Sequence, residues 1–158
     1  MAIERERKFV LRYEPDEMKE AWPSIIKQAY LMLVDKKQLR VRIIEHNSHN
    51  IECFICYKNC LTDTDREEYE YPIPYEDALE LYNSADLKLK KLRYKILGVE
   101  IDVYPPFFIT HEGIKVVEIE YKEDENIVIP DFCGEEITGH PLYSNINMAA
   151  IMTKNKIC

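Results

Sequence analysis

With 158 residues, 46% of them hydrophobic, the chain carries enough apolar material for one core, and residues 1–158 read as a single domain. Its 21 basic and 29 acidic side chains leave a net charge of −8, which excludes a broad basic face for nucleic acid or anionic lipid but still allows a local basic pocket. No apolar run of about 18 residues occurs, and MAIERERKFV is charged where an export signal is apolar, so the expectation is a cytoplasmic protein with no membrane partner.

Most of the chain alternates with period two, β-branched and aromatic residues falling between turn clusters, as half-buried antiparallel strands do. The first strand is expected at 2–12. PDEMKEAW follows as a short helix with Met18, Ala21 and Trp22 on one side, ended by Pro23. Strands at 28–35, 38–46, 51–58 and 66–73 come next, then a helix in YEDALELYNSA. Strands at 87–97, 99–104 and 114–123 complete a set of eight, with 105–113 as a longer surface link. From residue 129 the chain reads as a loop rich in Gly and acids, followed by a final helix in NINMAAIM capped by Ser144 or Asn145. The fold class is therefore mainly β (α+β), with short peripheral helices.

Five cysteines, Cys53, Cys56, Cys60, Cys133 and Cys158, are an odd number without an export signal, which favours reduced thiols. With only four glycines there is no GxGxxG and no Walker-type loop, so nucleotide-binding α/β folds lose their main support.

The charges inside the strands carry the functional signal, because residues at i, i+2 and i+4 share a face. The first strand aligns Glu4, Glu6 and Lys8, and the third Arg40 and Arg42. Lys58 closes the fourth. The fifth holds Arg66, Glu68 and Glu70, the sixth Lys91 and Arg93, the seventh Glu100 and Asp102, and the eighth Glu118 and Glu120. In the third and eighth strands these charges lie opposite clean apolar faces: Leu39, Val41 and Ile43 in one, Val117, Ile119 and Tyr121 in the other. A solvated outer face is the ordinary explanation. Eight antiparallel strands can also close, however, and a charged interior then asks for ligands. Two carboxylates about 4 Å apart repel by ~4 kcal/mol at an effective dielectric of 20, so the acidic pairs call for a divalent cation, and oxygen-only ligands suit Mg2+ or Mn2+. The Arg and Lys set calls for a polyanion such as a phosphate chain.

Glu4-x-Glu6-x-Lys8, within IERERKFVL, resembles the ExExK signature of the CYTH family, also called triphosphate tunnel metalloenzymes. The likeness continues in order through QAYLML, the RxR of LRVRI, Lys58 at a strand end, the RxExE run of REEYEYPI, the KxR of KKLRYKI, IDVY, the ExE of VVEIEY and GEEITGHPLYSN. It covers nearly the whole chain and is most similar to the short bacterial-type branch associated with inorganic triphosphatase activity. The resemblance implies a closed eight-stranded antiparallel β-barrel that binds a triphosphate lengthwise and hydrolyses it with Mg2+ or Mn2+. Carried over by motif, Glu4, Glu6, Glu118 and Glu120, with Asp102, would hold metal, while Lys8, Arg40, Arg42, Lys58, Lys91 and Arg93 would grip phosphates. Glu4, Glu6, Lys8, Glu68 and Glu70 form the implied catalytic set, and Glu68, Glu70 and Asp102 have two readings: positioning metal-bound water, or holding neighbouring Arg and Lys side chains in place.

Two departures stand out. Cys56-x-Lys58 replaces the family's frequent Thr-x-Lys, and Arg5 replaces a usually apolar residue, so that it should face outward, where either an acidic neighbour or a partner chain could meet it. Cys53, Cys56 and Cys60 near His46 and His49 offer a zinc reading, but Cys53 and Cys56 face opposite sides of a strand, which favours buried thiols. Tyr143 near a tunnel end offers a stacking surface, His111 and His140 have no catalytic partner in sequence, and Lys154 and Lys156 read as a solvated tail. The expected partner is a small triphosphate-containing molecule, not nucleic acid, and exposed apolar walls are compatible with a homodimer. The rival readings are a class IV-type adenylyl cyclase of the same superfamily and a protein that binds nucleotide or polyphosphate without turnover.

Overall fold

In a computed structural model, residues 3–47, 49–105 and 113–155 are described. Strand β1 (Ile3–Leu11) leads through α1 (Asp16–Glu20) into four long strands: β2 (Ser24–Val34), β3 (Lys37–Asn47), β4 (Asn50–Cys60) and β5 (Asp65–Pro72). Helix α2 (Tyr75–Ser84) precedes β6 (Leu87–Ile96), β7 (Val99–Val103) and β8 (Lys115–Tyr121). A short strand β9 (Cys133–Glu136), a 3-10 turn (Pro141–Tyr143) and α3 (Asn145–Lys154) finish the described chain. The expected link at 105–113, with His111, lies largely outside the described residues, as do Lys156 and Cys158.

Neighbouring strands run antiparallel in the order β5-β4-β3-β2-β6-β7-β8-β1-β9, and β5 also pairs with β1. That last pairing turns eight strands into a ring and leaves β9 as a ninth on the edge of β1. The closure is short: Ile3, Glu4 and Arg5 pair with Glu67, Arg66 and Asp65, after which β9 takes over the same edge at Phe9 and Leu11. Between the two, Glu6 N donates to the Thr64 carbonyl and Lys8 N to the Thr138 hydroxyl. The β6–β7 hairpin turns through Leu97 and Gly98 alone, both at positive φ (48° and 74°), the geometry that matches the twist of the flanking strands.

The alternation seen in sequence becomes the two faces of the ring. Outward residues pack under covering segments: Val41, Ile43, Ala29 and Cys53 lie beneath Ala78 and Tyr82 of α2, while Phe9, Ile101, Val117 and Ile119 lie against Met18 of α1 and Phe132. Inward residues near the α3 end are apolar or aromatic, and Tyr30, Leu89, Tyr104 and Val116 bury Met148, Ala149 and Met152, so α3 closes that end as a hydrophobic plug. Burial of such side chains contributes roughly 1.5–3 kcal/mol each and is joined by polar ties from Asn145 to Tyr104 and Lys91 and from Thr153 to the Lys88 backbone.

Two boundaries differ from the sequence reading. Strand β2 begins at Ser24 rather than 28, because Ser24–Lys27 pair with β6, and Ile25–Lys27 also with β3; this stretch lacks alternation because Ile25 and Ile26 are both apolar. The expected loop after residue 129 contains β9, whose CGEE sequence has no apolar period and is instead held by β1 and by the bidentate Arg7–Glu136 pair (2.6 and 2.8 Å). Ser144 caps α3, accepting a hydrogen bond from Asn147 N.

Candidate active site

Inside the ring, charged side chains from seven strands meet. On the β6–β7–β8 wall, Asp102 is fully buried and both its oxygens are engaged: Lys91 Nζ lies at 2.5 Å, and Arg93 donates through Nε and an NH2 group at 2.7 and 2.9 Å. Arg93 continues to Glu118 (3.2 Å) and Glu100 (2.8 Å), and Glu118 faces Lys8 across the β1–β8 pairing (3.6 Å). Burial pushes the Glu118 carboxyl up, but Lys8, Lys91 and Arg93 outweigh it and hold the group well below the usual range. For Lys91 burial prevails over Asp102 and lowers the ammonium.

Arg66 organises the β1–β5 side. It donates to Glu6 (2.9 Å) and Glu68 (3.1 Å), reaches Glu4 at 3.4 Å and lies 3.8 Å from Glu120. Glu68 also accepts from Arg40 (3.1 Å), and although burial raises its carboxyl, Arg40, Arg42 and Arg66 bring it down to about 2. Glu70 accepts from Arg42 (3.1 Å) and from the buried Cys56 thiol (3.5 Å). Gln28, buried in β2, bridges Arg42 and the Tyr30 hydroxyl. Glu68, Glu70 and Asp102 thus each contact basic neighbours.

The β3–β4 wall is different. Arg40 Nε is buried without a hydrogen-bond partner, and Lys58 makes no ion pair or hydrogen bond among the described residues. Burial, followed by Arg40, Arg66 and Lys8, presses the Lys58 ammonium down to about 8. Arg5 faces outward, as expected, between Asp65 (3.3 Å) and Glu123 (3.5 Å). Cys53 packs under α2 while Cys56 faces inward, so the two thiols lie on opposite sides.

A central cavity of about 40 Å³ joins Glu6, Lys8, Arg40, Lys58, Arg66, Glu118 and Asn145. It opens toward the α3 end into about 210 Å³, bounded by Thr62, Thr138, Gly139 and Tyr143, where a side chain at Gly139 would collide with Asp63 at 2.6 Å. The other mouth, about 310 Å³, is lined by Glu4, Glu52, Glu70, Glu100 and Glu120 together with Arg42 and Arg93. There Ser24, His46 and Glu52 form a hydrogen-bonded chain (2.8 and 2.6 Å).

Glu4, Glu6, Glu118 and Glu120 fit a hard divalent cation by chemistry. All are carboxylates, the buried Glu118 Oε1 lacks a hydrogen-bond partner, and burial together with neighbouring carboxylates raises Glu4 to about 7 and lifts Glu120. Among the described residues no three acidic, His or Cys side chains converge as a ready-made cation site; Glu4, Glu6 and Glu120 are instead arranged around Arg66. Sequence reasoning placed Arg66 on the charged face but gave it no contact role, and it did not single out Gln28, a buried polar residue of β2.

This architecture defines a class: a closed antiparallel tunnel whose interior pairs carboxylates with guanidinium and ammonium groups. An inorganic triphosphatase of Acetivibrio thermocellus is 34% identical over 164 residues, covering 98% of each chain. Two crystal structures of the protein NE1496, one of them described as an inorganic triphosphatase, superpose with TM-scores of 0.61 and 0.60 at 28% and 26% identity. They cover 94% and 92% of this chain, and 95% and 97% of theirs. No family model matches. The chain belongs to the CYTH, or triphosphate tunnel metalloenzyme, family, in its inorganic triphosphatase branch.

Proposed function

We propose that the protein hydrolyses the terminal phosphoryl group of a triphosphate, with inorganic tripolyphosphate as the leading substrate and Mg2+ or Mn2+ as cofactor. The observation that carries this reading is the full-length relation to an inorganic triphosphatase, joined to an interior in which unpaired cationic donors stand opposite a carboxylate cluster. Lys8, Arg40, Arg42, Lys58, Lys91 and Arg93 would hold phosphoryl oxygens, with Arg66 placed to join them. Asp102, Glu68 and Glu70 act through those cations by fixing where their donors point.

A divalent cation held by Glu4, Glu6, Glu118 and Glu120 would neutralise the charge that develops on the bridging and leaving oxygens. This chain's own contribution is positioning: the basic side chains are oriented before substrate arrives, and the enclosed tunnel strengthens their electrostatic effect. Phosphate release from tripolyphosphate, thiamine triphosphate and ATP, each with and without Mg2+ or Mn2+, tests the reading. Glu4→Ala, at a half-exposed position, should abolish metal-dependent release while the thermal unfolding midpoint stays within a few degrees. Unchanged turnover would refute the metal role of the carboxylates, and cyclic AMP in place of phosphate from ATP would replace the hydrolase with a cyclase.

A further inference from the structure

One polar side chain at the tunnel centre has no part in the machinery above. Asn145, the first residue of α3, comes from the C-terminal plug rather than from a strand. Its Oδ1 accepts from the Tyr104 hydroxyl (2.5 Å) and from the Lys91 ammonium (3.3 Å). An ammonium can only donate, so the atom facing Lys91 must be the amide oxygen and the orientation of the amide is fixed by chemistry. The NH2 group is thereby turned away from Lys91, and among the described residues it has no protein partner.

Asn145 stands where the central cavity meets the α3-side cavity, a junction it shares with Lys8, Arg40, Lys58 and Arg66, and with Glu6 as the single carboxylate that borders both. Arg40 Nε and the Lys58 ammonium, also at this junction, lack hydrogen-bond partners too. Three donors without a protein acceptor at one place, of which Arg40 Nε is fully buried, form a subsite for anionic oxygen, because a buried donor left unmade is costly and a phosphoryl oxygen accepts several hydrogen bonds at once. We propose that the Asn145 amide NH2 contacts a phosphoryl oxygen at the α3 end of the bound triphosphate, which makes the plug helix a supplier of a substrate-binding group. This inference rests on the triphosphatase reading.

The replacement Asn145→Asp separates the two roles of the side chain. It keeps an oxygen for Tyr104 and Lys91, so a merely structural Asn145 is replaced without loss, whereas the donor becomes a second acceptor that faces phosphoryl oxygen. The expected result is a KM for tripolyphosphate raised at least tenfold, about 1.4 kcal/mol of binding, with kcat changed less and the ligand-free unfolding midpoint maintained. Asn145→Ala, which removes the donor without adding charge, should raise KM by a smaller factor. Wild-type KM in either folded variant overturns the inference, as does a loss confined to kcat, which would mark Asn145 as acting only through Lys91. If the wild-type protein binds tripolyphosphate without hydrolysing it, the triphosphatase reading fails, and the same comparison is made on dissociation constants measured calorimetrically. If the wild-type protein neither binds nor hydrolyses it, both ideas fall.

Discussion

The two walls of the tunnel meet the same problem, buried positive charge, in opposite ways. On β6–β8 the inward cations Lys91 and Arg93 both have carboxylates: Asp102 takes Lys91 and Arg93, and Glu118 takes Arg93 together with Lys8 of β1. On β3–β4 the account stays open, since Lys58 has no partner and Arg40 keeps a buried unmade donor beside its bond to Glu68. The first wall holds these cations in pairs before any ligand binds, with Glu118 Oε1 its one buried side-chain atom left without a hydrogen bond among the described residues. The second is electrostatically unfavourable as it stands, and under the proposed function its cost in the ligand-free state would become binding energy for substrate.

That contrast can be broken most severely at Asp102. Asp102→Asn keeps the shape but strips the charge that faces two buried cations, and loss of one partner of a buried pair costs about 3–5 kcal/mol. Urea denaturation should show a destabilisation of that size, and a value under about 1 kcal/mol would mean that the first wall is held by something else.

Lys58 should respond in the opposite sense. Lys58→Met removes an unpaired charge, so the ligand-free protein should become more stable at pH 7 while turnover of tripolyphosphate falls by about 10²-fold. The pH dependence sharpens this point. Lys58 titrates near 8 in the folded protein against an ordinary value of 10.5, so between those values the unfolded chain binds more protons and stability rises with pH. Thermal unfolding across that window should show the rise in wild type and lose it in Lys58→Met; an unchanged slope would place the titration elsewhere.

The smallest effect is expected outside the tunnel. Arg7 and Glu136 form a well-aligned but exposed pair that ties β9 to β1, and Arg7→Ala should cost about 0.5–1 kcal/mol in denaturation with kcat intact.

Much of this was legible before any coordinates. Glu4, Glu6 and Lys8 share a face because the pleat repeats every two residues, and the same rule placed Arg40 with Arg42 and Glu118 with Glu120. Strand number allowed closure, and the family resemblance implied it. The contacts of Arg66 were not legible, because its partners Glu4 and Glu6 lie about sixty residues away across the ring seam and leave no local pattern. Strand β9 was missed for a related reason: its pairing is imposed by β1, not by any alternation of its own. Asn145 resembled a helix cap, and only because Ser144 fills that position is its side chain free to reach Lys91.

The seam along β1 has a further consequence. Three residue pairs join β1 to β5, and beyond them Glu6 N donates to the Thr64 carbonyl, Lys8 N to the Thr138 hydroxyl and Ile137 N to the Lys8 carbonyl before the β9 pairing takes over. Local opening concentrates where protection by neighbouring strands is thinnest, and that stretch includes Lys8. The cylinder should therefore open first along this seam, and the amide protons of Glu6 and Lys8 should exchange faster than those of the doubly paired strands β2 and β3.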